Sequence, residues 1–196
     1  LYSVKIDGTG FQQVAGGNFT ILESAVDTKN GKVYFSANAE HPYEYFIYES
    51  DLSGSYTKRL TYEEGDVSEL RLSPDGSRLF YSQSYFTKPN ELHMLDIQSG
   101  ISTQVTNTTS PKFANVEWNI PEIITVTNEE DGAVIYGLLY KPQNYDPKKK
   151  YPLICFVHGS GYLQNVTKGF SPYRDNFMVN TYLTQNDFIV LDLDFR

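Results

Sequence analysis

The chain has 196 residues with 24 acidic and 16 basic side chains, which gives a formal net charge of −8 at pH 7. An acidic chain of this length is a poor candidate for binding nucleic acid, because phosphate recognition requires clustered lysine and arginine. Its single cysteine excludes an internal disulfide and a cysteine-based metal site. No apolar run approaches the roughly 18 residues of a membrane span. The 16 tyrosines and 12 phenylalanines favour a strand-rich protein.

Similar segments recur along the first half of the chain. Asp7, Asp51 and Asp96 each end a short strand-like segment and precede a glycine, and they are 44 and then 45 residues apart. Between these positions the sequence predicts short aromatic strands at 33–36, 44–49, 79–84 and 91–97. Turn residues separate the strands at 29–31, 73–76 and 88–90. Four short strands in about 45 residues are typical of a β-propeller blade.

A second register supports the same repeat. Gly31 and Gly76 lie 45 residues apart in matching hairpin turns. We therefore predict the tail of one blade at 1–14 and whole blades at about 20–61 and 66–106. A plain β-meander with chance similarity is the alternative, and the agreement of two registers favours the propeller. Because a closed propeller has at least four blades, the ring is expected to be incomplete within this chain.

The pattern changes after Pro111. A hairpin is predicted first, and then a continuous apolar run that suits a strand buried on both faces of a parallel sheet. A helix opened by Ser171 and Pro172 and ended by Asn186 follows, with an apolar stripe along it, and then another strand. The sequence therefore predicts a βαβ unit and a change from all-β to α/β near 111–121. The predicted strands are 122–127, 133–140, 153–157 and 188–191, and the stripe comprises Tyr173, Phe177, Met178, Val179, Tyr182 and Leu183.

Two segments carry a family resemblance. Residues 146–161 contain a lysine-rich loop, Tyr151-Pro152, an apolar strand and a His-Gly turn, and residues 190–196 end in Asp-Phe-Arg. This arrangement resembles the entry into the α/β-hydrolase domain of prolyl oligopeptidase family serine peptidases, in their dipeptidyl peptidase IV-like and acylaminoacyl-peptidase branches. The resemblance implies a mixed fold. Residues 1–115 would be the C-terminal blades of a β-propeller, and 116–196 the N-terminal part of an α/β-hydrolase domain.

The family reaction is acyl transfer by a Ser-Asp-His triad whose serine lies in a Gly-x-Ser-x-Gly turn. No serine of this chain has glycine at both −2 and +2. The resemblance therefore implies a triad that lies after Arg196, and the chain by itself is expected to be inactive. Leu1 begins within a blade, so both ends are expected to be cuts within a longer peptidase, made by design or by proteolysis.

One functional element of the family is expected within the chain. The turn after the first buried strand supplies an oxyanion-hole N–H in α/β-hydrolases. Here the resemblance assigns that turn to His158, Gly159, Ser160 and Gly161. His158 stands where the dipeptidyl peptidase IV branch has a tyrosine, so the backbone N–H of Gly159 or Ser160 is the expected donor. The alternative is a loop that needs glycine only for its geometry.

Other polar residues are predicted to have structural roles. Cys155 lies within the apolar strand and is expected to be a small buried side chain rather than a nucleophile. The chain has three histidines without a shared spacing, and they carry no metal signature. The remaining candidates are expected to be solvated loop carboxylates or chance Asn-x-Thr triplets; they are Glu63, Glu64, Glu129, Glu130, Asn18, Asn107 and Asn165.

The resemblance implies a peptide substrate for the whole protein and no cofactor. Exposed strand edges on the open pair of blades predict pairing with another chain, as in a homodimer. Two other functions stay open at this point. One is a propeller scaffold that only binds a partner, with a degenerate hydrolase part. The other is an esterase or acylaminoacyl hydrolase of the same fold.

Overall fold

A computed structural model describes residues 1–159, 161, 163–171 and 173–195. The first blade is a four-stranded antiparallel sheet in which each strand pairs with the next along the chain. Its strands are β3 (Ile21–Asp27), β4 (Lys32–Ala37), β5 (Phe46–Asp51) and β6 (Thr57–Arg59). They lie within the predicted blade at 20–61. Before them, β1 (Tyr2–Ser3) and β2 (Gln12–Gln13) form a short antiparallel pair in the predicted blade tail.

The second blade repeats this order. It comprises β7 (Asp66–Leu72), β8 (Arg78–Tyr85), β9 (Lys88–Asp96) and β10 (Ser102–Gln104). Gly76 closes the β7–β8 turn with a φ of 75°, a conformation that glycine adopts readily. The predicted repeat of short aromatic strands is therefore confirmed in both sheets.

One predicted turn is wrong. Residues 88–90 belong to β9, and the turn lies at Phe86 and Thr87, where Tyr85 pairs with Lys88. The register then shifts between Gln83 and Tyr85, which places an irregularity beside Pro89. Proline has no N–H to give to a sheet, and a bulge is a position where strands accept it. Sequence reasoning treated the proline as a strand breaker and so misplaced the turn.

A shared apolar core joins the two blades. Tyr34 and Ile47 of the first blade pack with Leu79, Tyr81 and Leu95 of the second, and all five are almost completely buried. Burial of large apolar side chains contributes about 1.5–3 kcal/mol each. The two blades therefore form one packed unit.

A mixed sheet follows the blades. Its strand order is β11, β12, β14, β13, and β13 and β14 run parallel. The helix α2 connects the parallel strands and contacts β12 and β14. The predicted βαβ unit is confirmed by this connection. The bounds are α1 (Pro111–Ala114), β11 (Glu122–Thr127), β12 (Val134–Tyr140), β13 (Leu153–Val157), α2 (Arg174–Gln185) and β14 (Ile189–Leu193).

The predicted burial of β13 on both faces is wrong. Val157 is 69% exposed and Leu153 is 55% exposed, and Cys155 is also exposed. The reason is the position of β13 at the edge of this sheet, where it pairs with β14 while α2 covers β12 and β14. An apolar run predicts burial only where other elements cover the strand. Among the described residues, β13 pairs with a single strand, β14.

The predicted stripe on α2 is only partly right. Phe177 is buried, but Met178, Val179 and Tyr182 are exposed. The covered face includes Thr181 and Thr184, whose hydroxyls take part in hydrogen bonds with Asn119. The helix therefore packs through a polar face that an apolar pattern cannot reveal.

The predicted start of α2 also differs from the structure. Its N-cap is Tyr173, without a side-chain cap hydrogen bond, whereas Ser171 Oγ accepts a hydrogen bond from the Tyr173 N–H. Pro172 lies outside the described residues. Asn186 is the C-cap, as predicted.

The mixed sheet packs directly on the second blade. Phe86, in the β8–β9 turn, lies in one buried cluster with Leu138, Tyr140, Phe177 and Val190. This cluster packs β12, β14 and α2 against the β8–β9 turn. No helix within the described ranges is long and apolar enough to cross a membrane. The expected homodimer stays a prediction.

Glu23 of the first blade binds backbone N–H groups at a bulge in the second blade. Its removal should destabilise the packed pair of blades. Glu23 accepts hydrogen bonds from the N–H groups of Glu69 and Leu70, each at 2.9 Å. Glu23→Ala leaves the buried Leu70 N–H without its acceptor, so we expect a loss of about 1–3 kcal/mol in the free energy of unfolding. Urea denaturation followed by circular dichroism measures it.

The matched control is Glu129→Ala, because Glu129 is exposed in a hairpin turn. A surface substitution of this kind should change the unfolding free energy by less than about 0.5 kcal/mol. Equal effects of the two substitutions would contradict the role given to Glu23.

Candidate functional site

The loop between β13 and α2 begins where two parallel strands end. Val157 of β13 pairs with Leu193 of β14, so His158 and Asp194 leave the sheet at the same edge. Ligands of open α/β sheets bind at the carboxyl ends of the strands. The candidate site is this edge, together with the loop that leaves it.

The ring of His158 is held at both nitrogens. Nε2 lies 3.0 Å from Asp194 Oδ1, and Nδ1 lies 2.9 Å from the carbonyl oxygen of Gly159. The residue is buried, and its ring packs against Phe195 with centroids 4.7 Å apart. Since both nitrogens are occupied within the loop, the side chain of His158 fixes the turn instead of reaching outward.

Asp194 also gathers the next part of the loop. Its Oδ1 accepts a hydrogen bond from the N–H of Asn165 at 2.7 Å, and both carboxylate oxygens lie 3.3 Å from the N–H of Val166. Val166 is fully buried. One carboxylate therefore connects the start of the loop at His158 with its middle, seven residues on.

Asp192 extends this network into the sheet. The side-chain amide of Asn165 donates to Asp192 Oδ2, and both side chains are buried. Among the described residues, Asp192 Oδ1 and Asn165 Oδ1 have no hydrogen-bond partner. Burial, opposed by the Asn165 amide, raises the pKa of Asp192 to about 6. Protonation would turn one oxygen of Asp192 from an acceptor into a donor.

The charge of Asp194 acts on His158 in the opposite direction. Burial lowers the histidine pKa, but the Gly159 carbonyl and the Asp194 carboxylate outweigh burial and leave the pKa above its usual value. The protonated ring donates at both nitrogens, which matches the two acceptors that surround it.

The backbone of the turn is accessible. A Cβ placed on Gly159 or on Gly161 would meet no atom within 4 Å, so there is open space beside both residues. Within the described part of the chain, the N–H of Gly159 has no acceptor. Ser160, which the sequence also predicts in this turn, lies outside the described residues. The glycines are therefore not required by local crowding.

The far end of the loop is fixed to the blades. Lys168 lies between two carboxylates, with Nζ 3.1 Å from Glu44 and 2.8 Å from Glu64, and its N–H donates to the Tyr43 carbonyl. The N–H of Phe170 donates to Ser84 Oγ at 3.1 Å. The loop thus crosses from the sheet to both blades.

Asp66 lies beneath this crossing. A Cβ on Gly169 would come within 2.5 Å of Asp66 Oδ2, so only glycine fits there without movement. Burial raises the pKa of Asp66 to about 6, against contacts with Thr167 and the backbone of Tyr45 that lower it. The loop therefore packs closely on the second blade at Gly169, beside the buried carboxyl group of Asp66.

Sequence reasoning missed the residues that hold this loop. Asn165 was interpreted as a chance Asn-x-Thr triplet, yet it is buried and bonded to Asp192. Glu64 was interpreted as a solvated loop residue, and it pairs with Lys168. The only signal available was the position of Asp192 and Asp194 at the end of a predicted strand. No group of three or more histidine, cysteine or acidic side chains in the described ranges is arranged to hold a metal ion.

Comparison with known proteins gives consistent results along the chain. Residues 1–90 match the family model described as the dipeptidyl peptidase IV N-terminal region. A probable dipeptidyl-aminopeptidase B of Penicillium rubens is 28% identical over 208 residues, which cover 100% of this chain and 22% of that protein. The predicted resemblance to dipeptidyl peptidase IV is thereby confirmed. A probable dipeptidyl-aminopeptidase B of Tuber melanosporum is 30% identical over 185 residues, covering 87% of this chain and 19% of that protein.

The fold of the chain matches a solved structure. The crystal structure of Porphyromonas gingivalis dipeptidyl peptidase 4 superposes with a TM-score of 0.83 and 16% identity, over 98% of this chain and 27% of that one. The predicted propeller blades are confirmed by this match. The chain spans about a fifth of the length of the curated relatives that it matches.

The Asp194 network predicts a specific pH response. In Asp194→Asn the pKa of His158 should fall, because the carboxylate that favours the charged ring is lost. NMR titration of the His158 ring signals measures this pKa directly. The raised pKa in the folded protein stabilises it below the unfolded pKa near 6.5, and this contribution is lost as the pH rises through the folded-state value. The stability deficit of the variant should therefore be largest at acidic pH.

Asp187→Asn is the matched control. Asp187 is exposed and has a φ of 63°, which asparagine also tolerates. It should leave the His158 titration unchanged. A His158 pKa that is the same in Asp194→Asn and in the unsubstituted chain would show that the carboxylate does not control the ring.

Proposed function

We propose that this chain is part of a serine peptidase that cleaves short peptides near their amino terminus. Its relatives are named dipeptidyl-aminopeptidases, and they match along the whole chain. In this proposal residues 1–115 are a portion of the propeller, and 116–196 begin the α/β-hydrolase domain. The mixed sheet with its parallel β13–α2–β14 connection supports the second assignment.

The observation that carries the proposal is the geometry of the turn after β13. The N–H of Gly159 has no acceptor within the described residues, and there is open space beside the Gly159 Cα, at the sheet edge where ligands of α/β folds bind. Acyl transfer develops negative charge on the substrate carbonyl oxygen, and fixed N–H donors stabilise that charge. We assign this donor role to the backbone N–H of Gly159 or Ser160 in the loop formed by 158–161.

His158 and Asp194 act as positioning residues in this proposal. The ring of His158 is buried and bonded at both nitrogens, so it has no nitrogen left for a substrate. Its contact with the Gly159 carbonyl orients the peptide unit beside the proposed donor. A donor that is already oriented loses no reorganisation energy when the oxyanion forms, which is the source of its catalytic effect.

The nucleophile of the proposed reaction is not among these 196 residues. No serine here has glycine at both −2 and +2, the pattern that exposes the serine of α/β-hydrolases. In this fold the order is serine, then acid, then histidine, so we place the whole triad after residue 196. The 196-residue chain alone is accordingly expected to hydrolyse no peptide.

The test uses the full-length gene product and two substitutions at one position. Gly159→Pro removes the N–H, and we expect kcat for dipeptidyl 4-nitroanilides to fall about 10²–10³-fold, the usual loss of one oxyanion donor. Gly159→Ala keeps the N–H and fits the open space, so its kcat should stay within a few-fold of the unsubstituted enzyme. Labelling by a serine-reactive fluorophosphonate reports whether the nucleophile is intact in each variant.

Several outcomes would contradict the proposal. Absence of fluorophosphonate labelling and of turnover in the unsubstituted protein would favour a propeller that only binds a partner. Selective cleavage of acylated amino termini would favour an acylaminoacyl hydrolase. Equal loss of activity in Gly159→Pro and Gly159→Ala would show that glycine, and not its N–H, is required.

A further inference from the structure

A polar cavity lies on the second blade, beside the segment that connects it to the first blade and next to the loop contacts at Glu64 and Ser84. It has a volume of about 770 Å³ and opens between the segment before β7 and one face of β8, β9 and β10. Small-molecule sites typically have about 300–1,000 Å³, so the cavity can hold a ligand. Its lining includes the polar side chains of Glu63, Glu64, Gln83, Lys88, Glu91 and His93.

Gln83 lacks a partner in this cavity. The residue is 8% exposed, and its side-chain carbonyl oxygen Oε1 is buried with no hydrogen-bond partner among the described residues. A buried acceptor without a donor costs about 1–3 kcal/mol. Gln83 lines the cavity, so a ligand that carries a donor and displaces the groups covering this oxygen would remove this cost.

The charges around the cavity favour a cation. Three carboxylates line it, at Glu63, Glu64 and Glu91, against one lysine, Lys88. Glu64 is paired with Lys168 at 2.8 Å, which leaves Glu63 and Glu91 as the uncompensated carboxylates. Lys88 and Glu63 are both exposed, so solvent screens both charges, and the buried Glu91 is the least screened charge of the lining.

Glu91 stays ionised in this position. Its carboxylate accepts hydrogen bonds from the Thr106 hydroxyl and from the N–H and hydroxyl of Thr108. The hydrogen bond from the Thr106 side chain is the main cause that lowers its pKa below the usual value. The carboxylate is therefore a fixed negative charge at neutral pH.

His93 does not neutralise these carboxylates. Burial lowers its pKa, although Glu63 and Glu91 act to raise it. The ring lies beside Tyr81, with centroids 5.5 Å apart. At neutral pH the His93 ring is therefore uncharged, and it lines the cavity without adding a positive charge.

We propose that this cavity binds a guanidinium group. A guanidinium is planar, always charged, and carries five N–H donors, so it can serve a carboxylate and an amide oxygen together. Glu63 and Glu91 supply the opposite charge, and Gln83 Oε1 supplies a buried acceptor that needs a donor. The ligand is either a free guanidino compound or the arginine side chain of a peptide. This site does not depend on the proposed peptidase function.

The test measures binding to the 196-residue chain by NMR and calorimetry. Methylguanidinium should bind saturably at millimolar concentration and shift the signals of Gln83 and Glu91. Tetramethylammonium, which has the same charge and no N–H donor, should not bind there. Stronger binding of the blocked peptide acetyl-Gly-Arg-Gly-amide than of methylguanidinium would assign the site to an arginine side chain, and the reverse order would assign it to a free compound.

Substitutions separate binding from folding. Gln83→Leu should weaken methylguanidinium binding by about tenfold or more while leaving the melting temperature unchanged or higher, because replacing an unsatisfied buried polar group by an apolar one is neutral or stabilising. Glu63→Gln should weaken binding as well. The matched controls, Gln98→Leu and Glu129→Gln at exposed positions, should leave binding unchanged.

Three results would contradict the guanidinium site. Equal binding of tetramethylammonium and methylguanidinium would show attraction by charge alone. Unchanged affinity in Gln83→Leu and in Glu63→Gln, or no saturable shift at these residues, would overturn the site.

Discussion

Carboxylates at both ends of one loop hold this structure together. The loop between β13 and α2 has to cross from the sheet edge to two blades, and its backbone polar groups need partners along the way. Asp194 supplies acceptors at one end, for His158, Asn165 and Val166. Glu44 receives Lys168 at the other end. The turn at Gly159 has open space beside it and is not held by packing there. Its position therefore depends on these polar contacts.

Polar contacts also help to connect the two blades. Their shared apolar core supplies area, but polar contacts set the fit where the strands become irregular, as at Glu23 and the bulge near Glu69. Pairing is not complete everywhere, since Gln83 Oε1 in the cavity of the second blade lacks a donor within the described residues. Ser36 Oγ and Asp66 Oδ1 in the blades are also buried without a partner among those residues.

The sequence predicted the order of the strands better than it predicted which side chains are buried. The two blades, the 122–127 hairpin strand and the β13–α2–β14 unit were predicted from periodicity and turn residues, which are local properties. Burial of β13 and of Met178 was predicted wrongly, because burial depends on which elements cover a strand or helix. The turn was predicted at 88–90 instead of at Phe86 and Thr87, because a bulge accommodates Pro89 within β9. His158, Gly159 and Gly161 came from a family resemblance, whereas the roles of Asn165 and Asp192 required tertiary structure.

Amide hydrogen exchange across residues 163–170 measures how firmly the loop is held. If the carboxylates of Asp194 and Glu44 fix the loop, the amides of Asn165, Val166, Lys168 and Phe170 should exchange far more slowly than those of the exposed loop at 145–150, because each donates to a group distant in sequence. Exchange of 163–170 as fast as that of 145–150 would show that the loop is not held, and would contradict the account of the site.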